Sequence, residues 1–319
     1  MASKAKRGEH WFEDGNIILV TDETPTAFRV HRGVLGRHSE VFQDMFSFPQ
    51  PELSSDTEMC EGCQVVRLYD LSTDLSNLIK ALYDGAFHDF IYLAGVLRLS
   101  TKYLIAHLRT EAIRCLTITW PYTLEGHDAM VNKAVSTLSK DGLSYPYVHP
   151  LHVLNLANEV NIRLIVPSTL YFLSLYPLAD ILRGDHPKLL VEHQSRLSSS
   201  LNPADMGAYT LMFQHRVKII LEFMRKERTP SVCCASELCQ RGFQKQANRL
   251  LRSWQTRTGP LYFIVQAMNA VNEEPYLCDA CRKAYRREAD LLRHKIWKEL
   301  PEAIGLPSWD DLVAADLPT

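Results

Sequence analysis

The chain has 319 residues, 46% hydrophobic and 23% charged, which is the balance of a soluble globular protein with room for two or three domains. Its 35 basic and 37 acidic residues leave a net charge of −2, so no global field steers it toward nucleic acid. Residues 1–10 lack the apolar core of a signal peptide, and the longest uncharged apolar stretch, residues 164–179, is short and interrupted by Pro167 and Pro177, so neither secretion nor a membrane span is expected. Eight cysteines without a signal peptide point to a reducing compartment, cytoplasmic or nuclear, where thiols are unpaired or metal-bound.

In chain order, Ile17-Ile18-Leu19-Val20 is a β-branched and aliphatic run bounded by Gly15 and by Asp22-Glu23-Thr24-Pro25, which predicts a strand and a turn. Ala27-Phe28-Arg29-Val30-His31 alternates apolar and polar residues as a half-buried strand does, and Pro25 sets the hairpin turn between the two. From Arg32 the period becomes helical, with Val34, Leu35, Val41, Phe42, Met45 and Phe46 on helical spacings and Ser39 placed to cap the second helix. Residues 49–62 read as an exposed polar insertion, and Cys60 within it and Cys63 just after it are expected to be free thiols. Val65-Val66-Arg67-Leu68 gives a further strand. A helix follows, capped by Thr73 or Asp74, with Leu75, Leu78, Ile79, Leu82 and Tyr83 as its apolar stripe and Gly85 as its stop. Leu93, Ala94, Leu97, Tyr103, Leu104, Leu108, Ala112, Ile113 and Leu116 are the core candidates of a second helical pair.

The spacing of Asp14, Phe28, His31-Arg32, Val34-Leu35, Ser39 and Phe42…Met45-Phe46 resembles the opening of a BTB/POZ domain, and the later elements follow the BTB order through residues 11–118. The resemblance implies an α+β fold, a BTB/POZ unit of short strands and helical hairpins followed by a mainly α-helical region. It further implies a dimerising protein–protein interaction module rather than a catalyst. Trp11 and Phe12 would form an apolar edge at a homodimer interface, with Asp14, His31 and Arg32 in a partly buried pocket beside it. Met59-Cys60-Glu61 has the hydrophobic-x-Glu letters found in cullin-type ubiquitin-ligase adaptors. The partner classes so implied are a second copy of the chain and either a cullin scaffold or, in a nuclear regulator, a corepressor. A third class, a cysteine-dependent hydrolase, has little behind it: the chain carries no glycine-rich phosphate loop, no GxSxG and no HExxH.

Beyond Trp120-Pro121 almost everything to residue 229 reads as helix. Leu151, Leu154, Ala157 and Val160 share one stripe, Pro167 opens a second helix that Pro177 stops, and Asn202-Pro203 starts a third that buries Tyr209, Phe213, Val217, Ile220, Leu221 and Met224. Leu156-Ala157-Asn158-Glu159-Val160-Asn161, Pro167…Tyr171 and Tyr176-Pro177-Leu178 resemble the helical region that follows the BTB domain in proteins of mushroom-forming fungi. The expected division is a flexible arm (1–10), a BTB/POZ domain (11–118), a helical domain (119–230) and a cysteine-containing helical module (231–319).

In that last module Cys233, Cys234 and Cys239 lie in one loop, and Cys278 and Cys281 form a CxxC at the mouth of a long helix. Zinc takes four N or S ligands, usually as two close pairs, so Cys234 (or Cys233) with Cys239, Cys278 and Cys281 is a candidate structural site. The alternative is a set of small buried apolar residues. A second arrangement competes: Cys278, Cys281 and His294 fall on zinc-finger spacing, but Lys298 stands where the last histidine belongs. Direct nucleic-acid contact is therefore not expected.

Overall fold

A computed structural model describes residues 5–47, 58–85, 89–191, 198–228 and 237–318. Five strands come first: β1 (Lys6–Trp11), β2 (Ile17–Thr21), β3 (Thr26–Val30), β4 (Met59–Cys60) and β5 (Cys63–Leu68), in sheet order β1-β3-β2-β5-β4. β2 is buried along its whole length because it is paired on both sides, antiparallel to β3 and parallel to β5, and covered on both faces. Ile17, Leu19, Phe28 and Val30 face the main core, while Ile18, Val20, Ala27 and Cys63 form a small second cluster with Trp11 and Val65 on the other face. Thr21 latches the β2–β3 turn, its hydroxyl accepting from the Thr26 N–H at 3.2 Å and donating to the Thr24 carbonyl at 3.0 Å.

The flexible arm expected over residues 1–10 is corrected from Lys6 onward. Those residues pair parallel to β3 as an edge strand, with the register slipping between Arg7 and Trp11. Gly8 makes this docking feasible: a Cβ there would lie 2.4 Å from Cε1 of Phe28.

The first helices are α1 (Arg32–His38), α2 (Glu40–Ser47), α3 (Ser72–Asp84), α4 (Phe90–Lys102) and α5 (Ala106–Thr119). Ser39 caps α2 as its position predicts, accepting from the Phe42 N–H at 3.1 Å, and it also donates to the Tyr103 carbonyl at 2.6 Å. Gly85 stops α3 in the left-handed region at φ 68°. The expected Thr73 or Asp74 cap does not form. Leu71 occupies that position without a side-chain bond, because Asp74 turns inward to Arg98.

The remainder is helical: α6 (Leu124–Ser136), α7 (Pro150–Glu159), α8 (Val166–Leu173), α9 (Leu178–Arg183), α10 (Pro203–Arg225), α11 (Glu237–Ser253), α12 (Pro260–Asn272), α13 (Asp279–Glu299), a 3₁₀ turn Glu302–Ile304 and α14 (Trp309–Asp316). Asn202 caps α10 through the Ala204 N–H at 3.1 Å, as expected. The buried stripe of α10 is rotated from the sequence expectation. Met212, Arg216, Ile219 and Phe223 join Tyr209, Ile220 and Met224 inside, and Val217 is only half-buried.

One apolar core runs from Ile17 to Leu312 without a break at residues 118/119 or 230/231. Trp120, 2% exposed, lies in it edge-on to Phe172. Polar ties cross the same joints. Arg98 on α4 reaches Asp74 at 3.3 Å and Glu159 on α7 at 2.7 Å, and Arg109 donates to the carbonyls of Val160 and Asn161. Near the other end, the Asp316 carboxylate accepts from the N–H groups of Arg163 and Leu164, both at 2.7 Å. Among the described residues no helix is long and apolar enough to cross a membrane.

Candidate interaction edge and cysteine cluster

The residues nominated for an interface gather at the end of the sheet where β1 and β3 meet α1. Phe12 stacks on Tyr83 with ring centres 4.5 Å apart and lies 5.4 Å from the His31 ring. His31 is the hub of a short polar relay. Its backbone N–H donates to the Tyr83 hydroxyl at 3.1 Å, its Nδ1 lies 2.9 Å from the same oxygen, and its Nε2 lies 3.2 Å from Asp14. With the Tyr83 proton directed to Nδ1, the Nε2–H donates to Asp14, and every member is satisfied. The bond from His31 holds the Asp14 carboxyl below the usual carboxylate range, and partial burial pushes the Tyr83 hydroxyl up. Tyr83 is the member the sequence did not single out. It reads there as one more apolar residue on the α3 stripe.

Asp14 and Arg32 are not brought together within one chain. The Asp14 side chain is 85% exposed, so the partly buried pocket expected for it does not exist in a single copy. Arg32 instead lies over the Phe46 ring at 4.9 Å, donates to the Phe46 carbonyl, and has its own N–H bonded to Asn16. Trp11 also differs from an open edge. Its ring packs on the outer-face cluster under the Arg7 guanidinium, 4.4 Å away. What remains exposed is the backbone margin of β1 and the α1 surface, where only Leu35 is buried.

Met59 and Glu61 lie on the β4–β5 hairpin. Glu61 at φ 50° and Gly62 at φ 75° make its two-residue turn, the left-handed pair that suits the twist of the flanking strands. Met59 is exposed, but the Glu61 carboxylate is engaged by Arg7 and, at 3.7 Å, by Arg29. Cys60 and Cys63 face each other across this hairpin as free thiols, the buried one donating to the Gly15 carbonyl.

The C-terminal cysteines do converge. Cys239 in the first turn of α11, and Cys278 and Cys281 at the start of α13, place their Sγ atoms within 4.8 Å of one another, and the Cys278 N–H donates to the Cys239 sulfur at 3.4 Å. The inward face of α11 (Cys239, Gly242, Phe243, Gln246 and Leu250) brings this about. Phe243 stacks on Tyr285 of α13, and Gly242 lets Leu277 approach so closely that a Cβ would meet its Cγ and Cδ2 at 3.0 Å. Lys245 pairs with Glu274 at 3.1 Å beside the same contact. Gly242→Ala is therefore expected to loosen the cluster, read as faster alkylation of Cys239 in the folded protein, with no change at Cys115 on α5 as the internal control.

Cys234, the fourth expected ligand, and its alternate Cys233 lie outside the described residues. His294 is not part of the group. It is 56% exposed, bonded to Asp290 of its own helix, and thirteen positions beyond Cys281 on one uninterrupted helix, a rise of roughly 20 Å. The zinc-finger arrangement is thereby excluded, since a finger needs its histidines folded back onto the cysteine pair.

No curated protein and no solved structure matches the chain. Residues 12–117 match the BTB/POZ domain, a protein–protein interaction module, and the short strands and helices over that span, followed by a mainly helical region, are the fold of a protein that carries one.

Proposed function

We propose that the protein is a non-catalytic adaptor that pairs with a second copy of itself through the BTB/POZ domain and offers its helical region to another protein. The BTB/POZ match over residues 12–117 carries this reading. Supporting it, β1 is an edge strand whose outer margin is unpaired among the described residues, and α1 beside it buries only Leu35. A C2 pair over these elements is the commonest closed symmetry. Asp14, exposed in one copy and held ionised by His31, is then a charge poised for the partner's surface. A cullin scaffold is the second partner we favour over a corepressor, because no complete zinc finger or long basic tract provides for DNA contact. The carrier of that recognition is not Glu61 alone, whose carboxylate is already engaged by two arginines. The likeness of the helical region to proteins of mushroom-forming fungi sets the group in which relatives are to be sought.

Light scattering of the full chain at micromolar concentration is expected to give twice 36.5 kDa. Asp14→Asn is expected to shift that mass toward one chain while leaving the thermal midpoint of the diluted protein nearly unchanged, because the side chain is 85% exposed in one copy and the asparagine oxygen still accepts from His31 Nε2–H. A single-chain mass for the wild type across the concentration range contradicts the proposal.

A further inference from the structure

We propose that Cys239, Cys278 and Cys281 hold a structural zinc ion that cross-links the start of α11 to the start of α13. Three thiols from two segments nearly forty residues apart meet with their sulfurs within 4.8 Å of one another. At a Zn–S bond of about 2.3 Å, tetrahedral ligands stand about 3.8 Å apart, so small side-chain rotations bring these three into register. Cys281 is fully buried and Cys239 is 2% exposed, which denies a substrate access and makes the site structural. Cys278 is the N-cap of α13 and Cys281 lies in its first turn, so one helix end presents both sulfurs to Cys239.

The surroundings act as an outer shell. The Cys278 N–H donates to the Cys239 sulfur, the kind of bond that orients a ligating thiolate, and Arg282 ties the turn before α13 by donating to the Glu274 carbonyl at 2.8 Å. Binding releases one proton from each thiol, forms three Zn–S bonds and changes no oxidation state. Three thiolates leave one corner of the tetrahedron for a fourth donor. Beside the cysteines, α11 meets α13 and the turn before it through Phe243 on Tyr285, Gly242 against Leu277 and the Lys245–Glu274 pair. The ion therefore adds its binding free energy directly to the folding of this part of the chain.

The test is elemental analysis of the full chain made in zinc-supplemented medium and dialysed against metal-free buffer. About one zinc per chain is expected in the wild type and in Cys115→Ser, with a loss of roughly tenfold or more in Cys239→Ser and Cys281→Ser. Because those variants could lose metal by failing to fold, the wild type is also exchanged with cobalt(II), whose intense thiolate charge-transfer absorption reports S-ligation with every cysteine in place. Zinc together with that absorption supports the site. Absence of zinc from the wild type, absence of the cobalt band, or zinc lost from His294→Ala but retained in Cys239→Ser overturns it.

Discussion

Replacing Arg216 with alanine is expected to lower the unfolding free energy by about 3–5 kcal/mol, as cavity formation and orphaned polar groups combine. Arg216 is 1% exposed at the centre of α10, where it donates to the Ser174 carbonyl at 2.9 Å and to the Thr258 carbonyl at 2.7 Å, with its guanidinium beside the Phe213 ring. Those carbonyls end α8 and open α12, so one side chain ties three helices. Burial pushes the guanidinium below its ordinary value, yet arginine stays charged in any working buffer. Lysine is expected to recover little, because one ammonium lacks the fork that serves two carbonyls in different directions. Urea unfolding followed by circular dichroism measures the effect, with the exposed Lys218→Ala as control. A loss under about 1 kcal/mol, the size of an ordinary surface change, contradicts this role.

Arg98→Met is the second large effect, about 3 kcal/mol at neutral pH, because it leaves a buried carboxylate without its partner. Burial lifts the Asp74 carboxyl from 3.8 to about 6, and the adjacent Arg98 keeps it from rising further. A carboxyl raised in the folded state binds its proton more tightly there than in the unfolded chain. Its contribution is thus fully present below about pH 4 and is lost as pH rises through about 6. The difference is worth up to about 3 kcal/mol between those limits. Wild type is therefore expected to lose stability relative to Asp74→Asn between pH 4 and 7, while Arg98→Met, which raises only the folded-state value, starts the loss at the same pH and extends it to higher pH. Urea midpoints measured across that range check both statements, and parallel curves for wild type and Asp74→Asn would exclude Asp74 as the titrating group.

What the sequence made legible is what short-range chemistry decides. The run Ile17–Val20, the cap at Ser39, the stop at Gly85 and the Asn202-Pro203 start each depend on a few neighbouring residues, and each stands in the structure. Where tertiary contacts compete, local rules lose. Asp74 gives up capping for Arg98, and Arg216, polar by type, is drawn inside and turns the stripe of α10 with it. Arg293 is likewise buried, against Asp128 far away in sequence, where a basic helix face would have been expected to stay wet. In the candidate sites, cysteine spacing raised both metal arrangements and Lys298, in place of the last histidine, weighed against the finger, while the distance of His294 from the cysteines shows only in the unbroken α13. Tyr83 was hidden for a different reason: its hydroxyl acquires a role only once α3 lies beside β3.

The joint built from Arg98, Glu159 and Trp120 bears on avidity. A helical domain on a flexible tether would sample many positions, and any bivalent partner would find the second site at an effective concentration falling with tether length. Here the helical region is welded to the BTB/POZ sheet through one core. In a two-copy assembly the docking faces would then stand at one separation. A partner whose two recognition elements span that separation could gain on the order of 10²–10⁴ in binding strength, and one that cannot reach would gain nothing. Selection among partners would be made by their length as well as by their sequence.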